Sequence, residues 1–431
     1  MKWLMFYIGD KLDQKQFGGM RGKSITHYLI DFVNFVLYNQ DLNIPHMVLA
    51  GMIDFSKAFN RQNHHILITI LCNMGVPGWL LKIVMGFLTN RSLILRYNGV
   101  SSEMKSLPGG GPQGTILGMF LFLILINFAG FSDNMTNIAN TMCRVGGKRK
   151  PMEKNHLKYV DDFSILEAVS RSDLEVDENL PLPLNYHSRT QQVLPKAKSK
   201  VAHAIDDLVD YAEEHEMKIN HKKSKLMLFN TLNIHDFIPT ISIDGYELEV
   251  VEEMKLLGVI LSSDLKWSKN SEYITKKGFS RLWMMRRLKR IGVSQNDLLD
   301  TYIKQVRSLL ELAVPVWQPA LTNYDRTQIE RVQKTAFSII LGKRYESYKS
   351  ALGVLEMDTL EDRRKTLCLK FAQKASVHPS FKSWFQESNQ QSRPRRLNDI
   401  PDKYVEPYAR TDRFKDSAIP YLTRLLNEHN R

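Results

Sequence analysis

The chain has 431 residues, 43% hydrophobic and 24% charged, an ordinary globular composition that excludes a disordered or fibrous chain. Fifty-nine Lys plus Arg against 46 Asp plus Glu leave a formal charge of +13, which favours an acidic partner such as nucleic acid. Three cysteines, Cys72, Cys143 and Cys368, are too few and too far apart for a disulfide framework or a zinc knuckle. The apolar run at residues 119–128 is well short of the roughly 20 residues a membrane-spanning helix needs, and the first ten residues lack the length of a signal peptide. An intracellular protein of the nucleus or cytoplasm, with no membrane association, is the expectation.

In chain order, residues 25–37 carry apolar side chains at 29, 30, 33, 36 and 37, the period of a helix. Residues 46–55 read as a buried strand, after which Ser56 can cap a helix running to Cys72. A glycine-rich loop at 109–114 precedes an apolar helix over 115–128. Two short strands, 157–160 and 163–166, are separated only by Asp161-Asp162, the spacing of a two-residue hairpin. Prolines and polar side chains mark residues 167–200 as a surface insertion. A helix over 201–217, apolar at 201, 204, 205, 208, 209 and 212, leads through a lysine-rich turn into a strand at 226–229. Asp244-Gly245 signals a hairpin, and residues 256–261 add another strand. Beyond Trp267 helices are expected near 271–290, 295–312 and 325–341, and the Pro- and Gln/Ser/Arg-rich stretch 377–404 reads as a linker before a last helix at 414–428.

The chemistry rests on three aspartates at strand ends, Asp54 and the pair Asp161-Asp162. Mg²⁺ is usually held by one or two carboxylates together with substrate phosphates, and two such ions roughly 3.5–4 Å apart can serve an in-line phosphoryl displacement. Taken singly, Asp-Asp is also a favoured turn pair, and an Asp before a helix is also a favourable N-terminal charge.

Ile53-Asp-Phe-Ser-Lys-Ala-Phe59, Gly110-Gly-Pro-Gln-Gly-Thr-Ile-Leu-Gly118 and Lys158-Tyr-Val-Asp-Asp-Phe163, in that order, resemble the central motifs of reverse transcriptases, with the best match among non-LTR, LINE-type retrotransposons. Gln16-Phe-Gly-Gly-Met-Arg-Gly-Lys-Ser24 is similar to that group's fingers motif, residues 216–225 to its fourth palm motif and Leu256-Leu-Gly-Val259 to its primer-grip hairpin. The resemblance implies an α+β right-hand polymerase: partial fingers at 1–46, a palm with an antiparallel sheet at 47–265 with a finger-side insertion near 75–108, a basic helical thumb at 266–345 and a helical C-terminal extension at 346–431. It implies RNA-directed DNA synthesis from an RNA template and DNA primer with dNTPs and two Mg²⁺ ions, Mn²⁺ being a substitute. Asp54, Asp161 and Asp162 would hold the metals, with the Phe55 carbonyl nearby. Phe59 would block a ribose 2′-hydroxyl, though a core Phe on a first helical turn has the same pattern. Arg21, Gln113 and Gly114 would line the nucleotide pocket, and Lys223 could protonate pyrophosphate, with Lys222 and Lys225 near enough to leave the register open.

Asn60 stands where the family usually has Asp, and the few residues before the fingers motif suggest truncated fingers. A P-loop reading of Gly22-Lys-Ser24 fails because Phe17 occupies the required first glycine. A two-metal nuclease could use the same carboxylates but leaves the Pro-Gln-Gly loop unexplained. A catalytically inactive remnant that binds RNA or RNA–DNA duplex is the alternative. For such binding, residues 271–290 carry seven cations, Lys276, Lys277, Arg281, Arg286, Arg287, Lys289 and Arg290, against one acid, Glu272. They would follow a phosphate backbone largely without reading sequence, although a solvated face or a nuclear-import signal has the same composition. Residues 266–345 hold 16 Lys plus Arg and 6 Asp plus Glu, so ten of the thirteen net charges lie there.

Overall fold

The computed structural model describes residues 2–107, 109–112, 114–129, 152, 154–176, 193–195, 199–231, 240–388 and 402–430. They fall into two compact units. One gathers the described residues of Met1–Ser24, Met47–Thr136 and Met152–Val251, the other those of Ile25–His46 and Glu252–Arg431. No helix among the described residues is long and apolar enough to cross a membrane.

The first unit is built on a five-stranded sheet. Its strands are β1 (Met47–Asp54), β2 (Lys154–Tyr159), β3 (Asp162–Val169), β4 (Lys225–Phe229) and β5 (Glu249–Val250), in the spatial order β5-β4-β1-β3-β2. All neighbours are antiparallel except β4 and β5, which run parallel, so the expected antiparallel sheet carries one parallel edge. Seven of the eight residues of β1 are buried, as a central strand covered on both faces requires. The helix Lys200–Glu214 lays Val201, Ile205, Leu208 and Ala212 into the core, and Ser199 caps it. Glu167 on β3 accepts from the Val201 N–H at 3.0 Å, a carboxylate at a helix N-terminus, where the exposed amide dipoles favour negative charge. The helix Ile116–Leu125 is buried from Phe120 to Leu125 and is capped by Thr115.

Local chemistry redraws several expected boundaries. The β2–β3 turn is Val160-Asp161 rather than Asp161-Asp162, because Tyr159 pairs with Asp162 and makes Asp162 the first residue of β3. Ser56 caps no helix: after Lys57, at φ 52°, comes a short 3-10 turn, Ala58–Arg61, and Asn63 caps His64–Asn73. The strand expected at 256–261 is a hairpin, Glu253–Leu256 with Val259–Ser262, turning on Leu257-Gly258, both with positive φ. The insertion near 75–108 forms a helix, Gly78–Leu88, and two-stranded ribbons whose apolar residues Leu95, Tyr97 and Val100 are exposed. At 167–200, β3 runs on to Val169, and a short hairpin, Leu174–Val176 with Val193–Pro195, follows; residues 177–192 lie outside the described residues.

The second unit is helical. Ser268–Arg290, Asn323–Leu341, Leu360–Val377 and Ala418–Asn430 are its longest helices beyond Ile25–Gln40. The helix Gln295–Thr301 continues through a π-helical stretch, Tyr302–Arg307. Two expected divisions shift here. Ile25–Gln40 does not join the residues before it: His27 stacks on Phe381 at 4.0 Å, and the backbone N–H groups of Arg410 and Thr411 donate to Asp41. The Glu253–Ser262 hairpin also belongs to the helical unit, since the Ile260 N–H donates to Asn270 at 3.1 Å. The flanks of the expected linker at 377–404 are packed, with Phe381, Trp384, Phe385 and Tyr404 buried and Val405 bonded to Gln386; residues 389–401 lie outside the described residues.

Candidate active site

Asp54 ends β1 and Asp162 begins β3, and the two are directly paired across the antiparallel ladder. Asp161 adjoins them in the turn. Strand pairing therefore brings together three carboxylates, two of which are 107 or more positions from Asp54 in the chain. Like charges so close oppose ionisation. Burial, then the charges of Asp161 and Asp54, push the Asp162 carboxyl up to about 6, with Lys223 opposing. Burial and the Asp54 charge also raise Asp161.

Asp54 is oriented by residues that the sequence reading missed. Its N–H donates to Ser224 Oγ at 3.2 Å, the Asn220 N–H donates to its carbonyl at 2.8 Å, and Asn220 Nδ2 reaches its Oδ2 at 3.3 Å. The Ser224 hydroxyl in turn donates to the Asn220 carbonyl at 2.9 Å. The signal was present as the polar turn between the Lys200–Glu214 helix and β4, but nothing local says that this turn lands beside Asp54. Lys222 and Lys223 are both exposed, but Lys223 stands with Nζ 3.6 Å from Asp54 Oδ2, whereas Lys225 pairs with Glu249 at 2.6 Å.

Phe55 is buried with its ring edge-on to Phe163 at 5.2 Å. Phe59 is half-buried in the Ala58–Arg61 turn and stacks on Phe122 at 4.5 Å, while its carbonyl accepts from the Gly111 N–H at 2.7 Å. The glycine loop is thereby tied to the β1 end. The Gly110 carbonyl is also bound by His64 Nε2 at 2.9 Å and by Arg91. Gly118 is required beneath this loop, because a Cβ there would come within 2.3 Å of the Pro112 carbonyl oxygen. Gly114 is exposed at φ 81°, and Gln113 lies outside the described residues. Arg21 is exposed in the turn after Gly18-Gly19.

The three side chains supply carboxylate oxygens, the donor type that a hard divalent cation takes. Among the described residues no group of three or more His, Cys, Asp or Glu side chains is placed to hold a metal ion, these three aspartates included. A Mg²⁺ site completed by substrate phosphates and water requires none.

In the helical unit the seven cations divide. Lys276, Lys277, Arg286, Arg287 and Arg290 are exposed. Lys277 lies over the Tyr273 ring at 4.7 Å, and Arg287 lies over the exposed Trp283 at 4.8 Å. Arg281 instead donates to the Gln305 carbonyl, and Lys289 donates to the carbonyls of Ile339 and Ile340 at the end of the Asn323–Leu341 helix. These two are committed within the protein, Lys289 as a cation at a helix C-terminus.

The sheet pairs two carboxylates at a strand end beside a hairpin turn that carries a third. The family model for reverse transcriptase (RNA-dependent DNA polymerase) matches residues 4–261, and the chain belongs to that family. It is 23% identical over 85% of its length to the RNA-directed DNA polymerase from mobile element jockey of Drosophila melanogaster, covering 36% of that protein. It is 20% identical over 74% of its length to a probable RNA-directed DNA polymerase from transposon BS of the same organism, covering 32% of it. The chain thus spans about a third of the length of these relatives. Among solved structures it is similar to apo telomerase from Candida tropicalis, with TM-score 0.40 and 12% identity over 87% of this chain and 58% of that one. Telomerase from Candida albicans in complex with a telomeric RNA fragment gives TM-score 0.35 and 11% identity over 88% and 55%.

Proposed function

We propose that the chain extends a DNA primer along an RNA template, joining the primer 3′-hydroxyl to the α-phosphate of a dNTP with release of pyrophosphate. The observation that carries this reading is the register of β1 on β3, which pairs Asp54 with Asp162 and sets Asp161 beside them. Asp54, Asp161 and Asp162, with the Phe55 carbonyl, would hold two Mg²⁺ or Mn²⁺ ions. When bound, such ions activate the attacking hydroxyl and stabilise the leaving oxygen.

The protein's own groups do the rest. Asn220 and Ser224 fix the Asp54 carboxylate and backbone. Lys223, 3.6 Å from Asp54, is the proton donor to departing pyrophosphate. Phe59, backed by Phe122, excludes a 2′-hydroxyl, and Arg21, Gln113 and Gly114 bind the triphosphate, a task for which guanidinium has a matching fork of donors. Lys276, Lys277, Arg286, Arg287 and Arg290 bind duplex phosphates.

Primer extension on an RNA template with dNTPs and Mg²⁺ tests the proposal beside Asp162→Asn. Extension by the wild type and none by the variant is the expected result. Equal extension by both would remove the triad assignment, and tight duplex binding without extension by either would favour an inactive binding remnant.

A further inference from the structure

The outer edge of the catalytic hairpin is covered by the segment Asp13 to Gly18, and we infer that this segment is a strap whose Gln16 side chain positions the turn bearing Asp161. The inference deepens the proposed polymerase site and rests on that reading. β2 is the last strand of the sheet, so one side of its backbone would face solvent unpaired. Instead Gln16 bridges Lys158 in parallel: the Lys158 N–H donates to the Lys15 carbonyl at 3.0 Å, and the Phe17 N–H donates to the Lys158 carbonyl at 2.8 Å.

The strap is anchored by charge. His156 and Lys158, two residues apart on β2, both reach Asp13 Oδ2, at 2.7 and 3.0 Å. The fully buried Lys158 ammonium also donates to the carbonyls of Asn127 at 2.8 Å and Ile126 at 3.3 Å, and Asn127 Oδ1 accepts from the Asp13 N–H. A buried ammonium needs this full set of acceptors, so the strap is held to the sheet at one place.

At the tip, Gln16 Oε1 accepts from the N–H of Val160 at 3.3 Å and of Gly18 at 3.1 Å. Both partners are donors, which fixes the amide orientation. Val160 is the first turn residue and stands at φ 59°, a conformation that a β-branched side chain strongly disfavours. Without an outside hold, the turn would relax and carry Asp161 with it. Gly18 permits the approach, because a Cβ there would lie 2.6 Å from Val160 Cγ2 and 2.7 Å from its nitrogen.

The test uses the full chain as wild type, Gln16→Met, Gly18→Ala, and each of these combined with Val160→Gly, which removes the strain the strap is there to hold. Two readouts are taken: primer extension with Mg²⁺, and Mn²⁺ binding to the nucleotide-free protein by electron paramagnetic resonance. Gln16→Met should lower kcat on the order of tenfold to a hundredfold with dNTP KM and duplex affinity unchanged, the scale on which small misplacements act. It should weaken Mn²⁺ binding in parallel, and Val160→Gly should restore both. Gly18→Ala should show the same defect, relieved only in part by Val160→Gly because the Val160 nitrogen still lies 2.7 Å from the added Cβ, and it carries the test if Gln16→Met does not fold. Wild-type kcat and Mn²⁺ affinity in the folded variants, a loss in Gln16→Met that Val160→Gly does not relieve, or one in Gly18→Ala that it does not even lessen, would overturn the strap. If the wild type binds Mn²⁺ but extends no primer, the polymerase reading fails while the Mn²⁺ series still decides the strap. A wild type that binds no Mn²⁺ overturns both.

Discussion

At one end of the sheet three carboxylates converge from two strands and a turn, whereas along the Ser268–Arg290 helix five cations lie spread over an exposed face. Burial first, and like charge after it, raise the carboxyls of Asp161 and Asp162, so a positive charge placed among them would relieve a penalty. The cations are solvated and, within the protein, meet mainly aromatic faces such as Tyr273 and Trp283. The difference teaches that like charge can be concentrated either by backbone pairing, which fixes geometry for chemistry, or by sequence composition, which supplies a field without fixed geometry.

Neutralising the acids and the cations in turn should have opposite effects. Asp161→Asn or Asp162→Asn should reduce primer extension on the order of a thousandfold with duplex affinity retained, the scale of losing a preorganised electrostatic group. Replacing Lys276, Lys277, Arg286, Arg287 and Arg290 together by Ala should do the reverse. Duplex affinity should fall and its salt slope should flatten by roughly one unit for each phosphate no longer neutralised, with turnover retained at saturating duplex. If the five-cation variant kept its salt slope, these residues would be a plain solvated face.

Phe59→Ala should raise ribonucleotide incorporation on the order of tenfold or more in competition with dNTPs, as removal of a steric barrier allows. Unchanged sugar selectivity would return Phe59 to a packing role against Phe122.

The crowding of the acids also makes a prediction about stability. Asp162 has its pKa raised from 3.8 to about 6 in the folded protein, so the folded state holds that proton more tightly than the unfolded chain. The metal-free protein should therefore lose stability as pH rises through that window and remain less stable above it. Asp162→Asn, inactive in extension, should then unfold later than wild type in EDTA at neutral pH, by on the order of 2 kcal/mol after allowance for partial solvent screening. Thermal melts across that range provide the check, and identical profiles would mean that neither burial nor its neighbours penalise the Asp162 charge.

The smallest effect separates the two kinds of cation within one helix. Lys289→Met should cost about 1 kcal/mol of stability by uncapping the Asn323–Leu341 helix, while leaving the salt slope of duplex binding untouched.

Much of the fold was legible because its signals are local. Helical periods located Ile25–Gln40, Lys200–Glu214 and Ser268–Arg290 closely, and the aspartates could be picked out by motif. The hairpin turn was misplaced by one residue, because Asp-Asp is the better turn pair by propensity and only the β1–β3 register draws Asp162 into the strand. Asn220 and Ser224 were invisible as orienters of Asp54, since a hydrogen bond across more than 160 positions leaves no mark on its neighbours. Lys289 and Arg281 read like their neighbours in composition and differ only in which carbonyls lie within reach.

The sequence by itself determined the identity of the chemical groups, the alternation of strands and helices, and the placing of most of the net charge in one helical stretch. Those properties are set by residue type and spacing along a few turns of chain. The tertiary structure alone decided the pairing of Asp54 with Asp162, the commitment of individual cations, and the division that sends Ile25–Gln40 to the helical unit. Each of these depends on contacts between distant segments, where register and burial outweigh local preference.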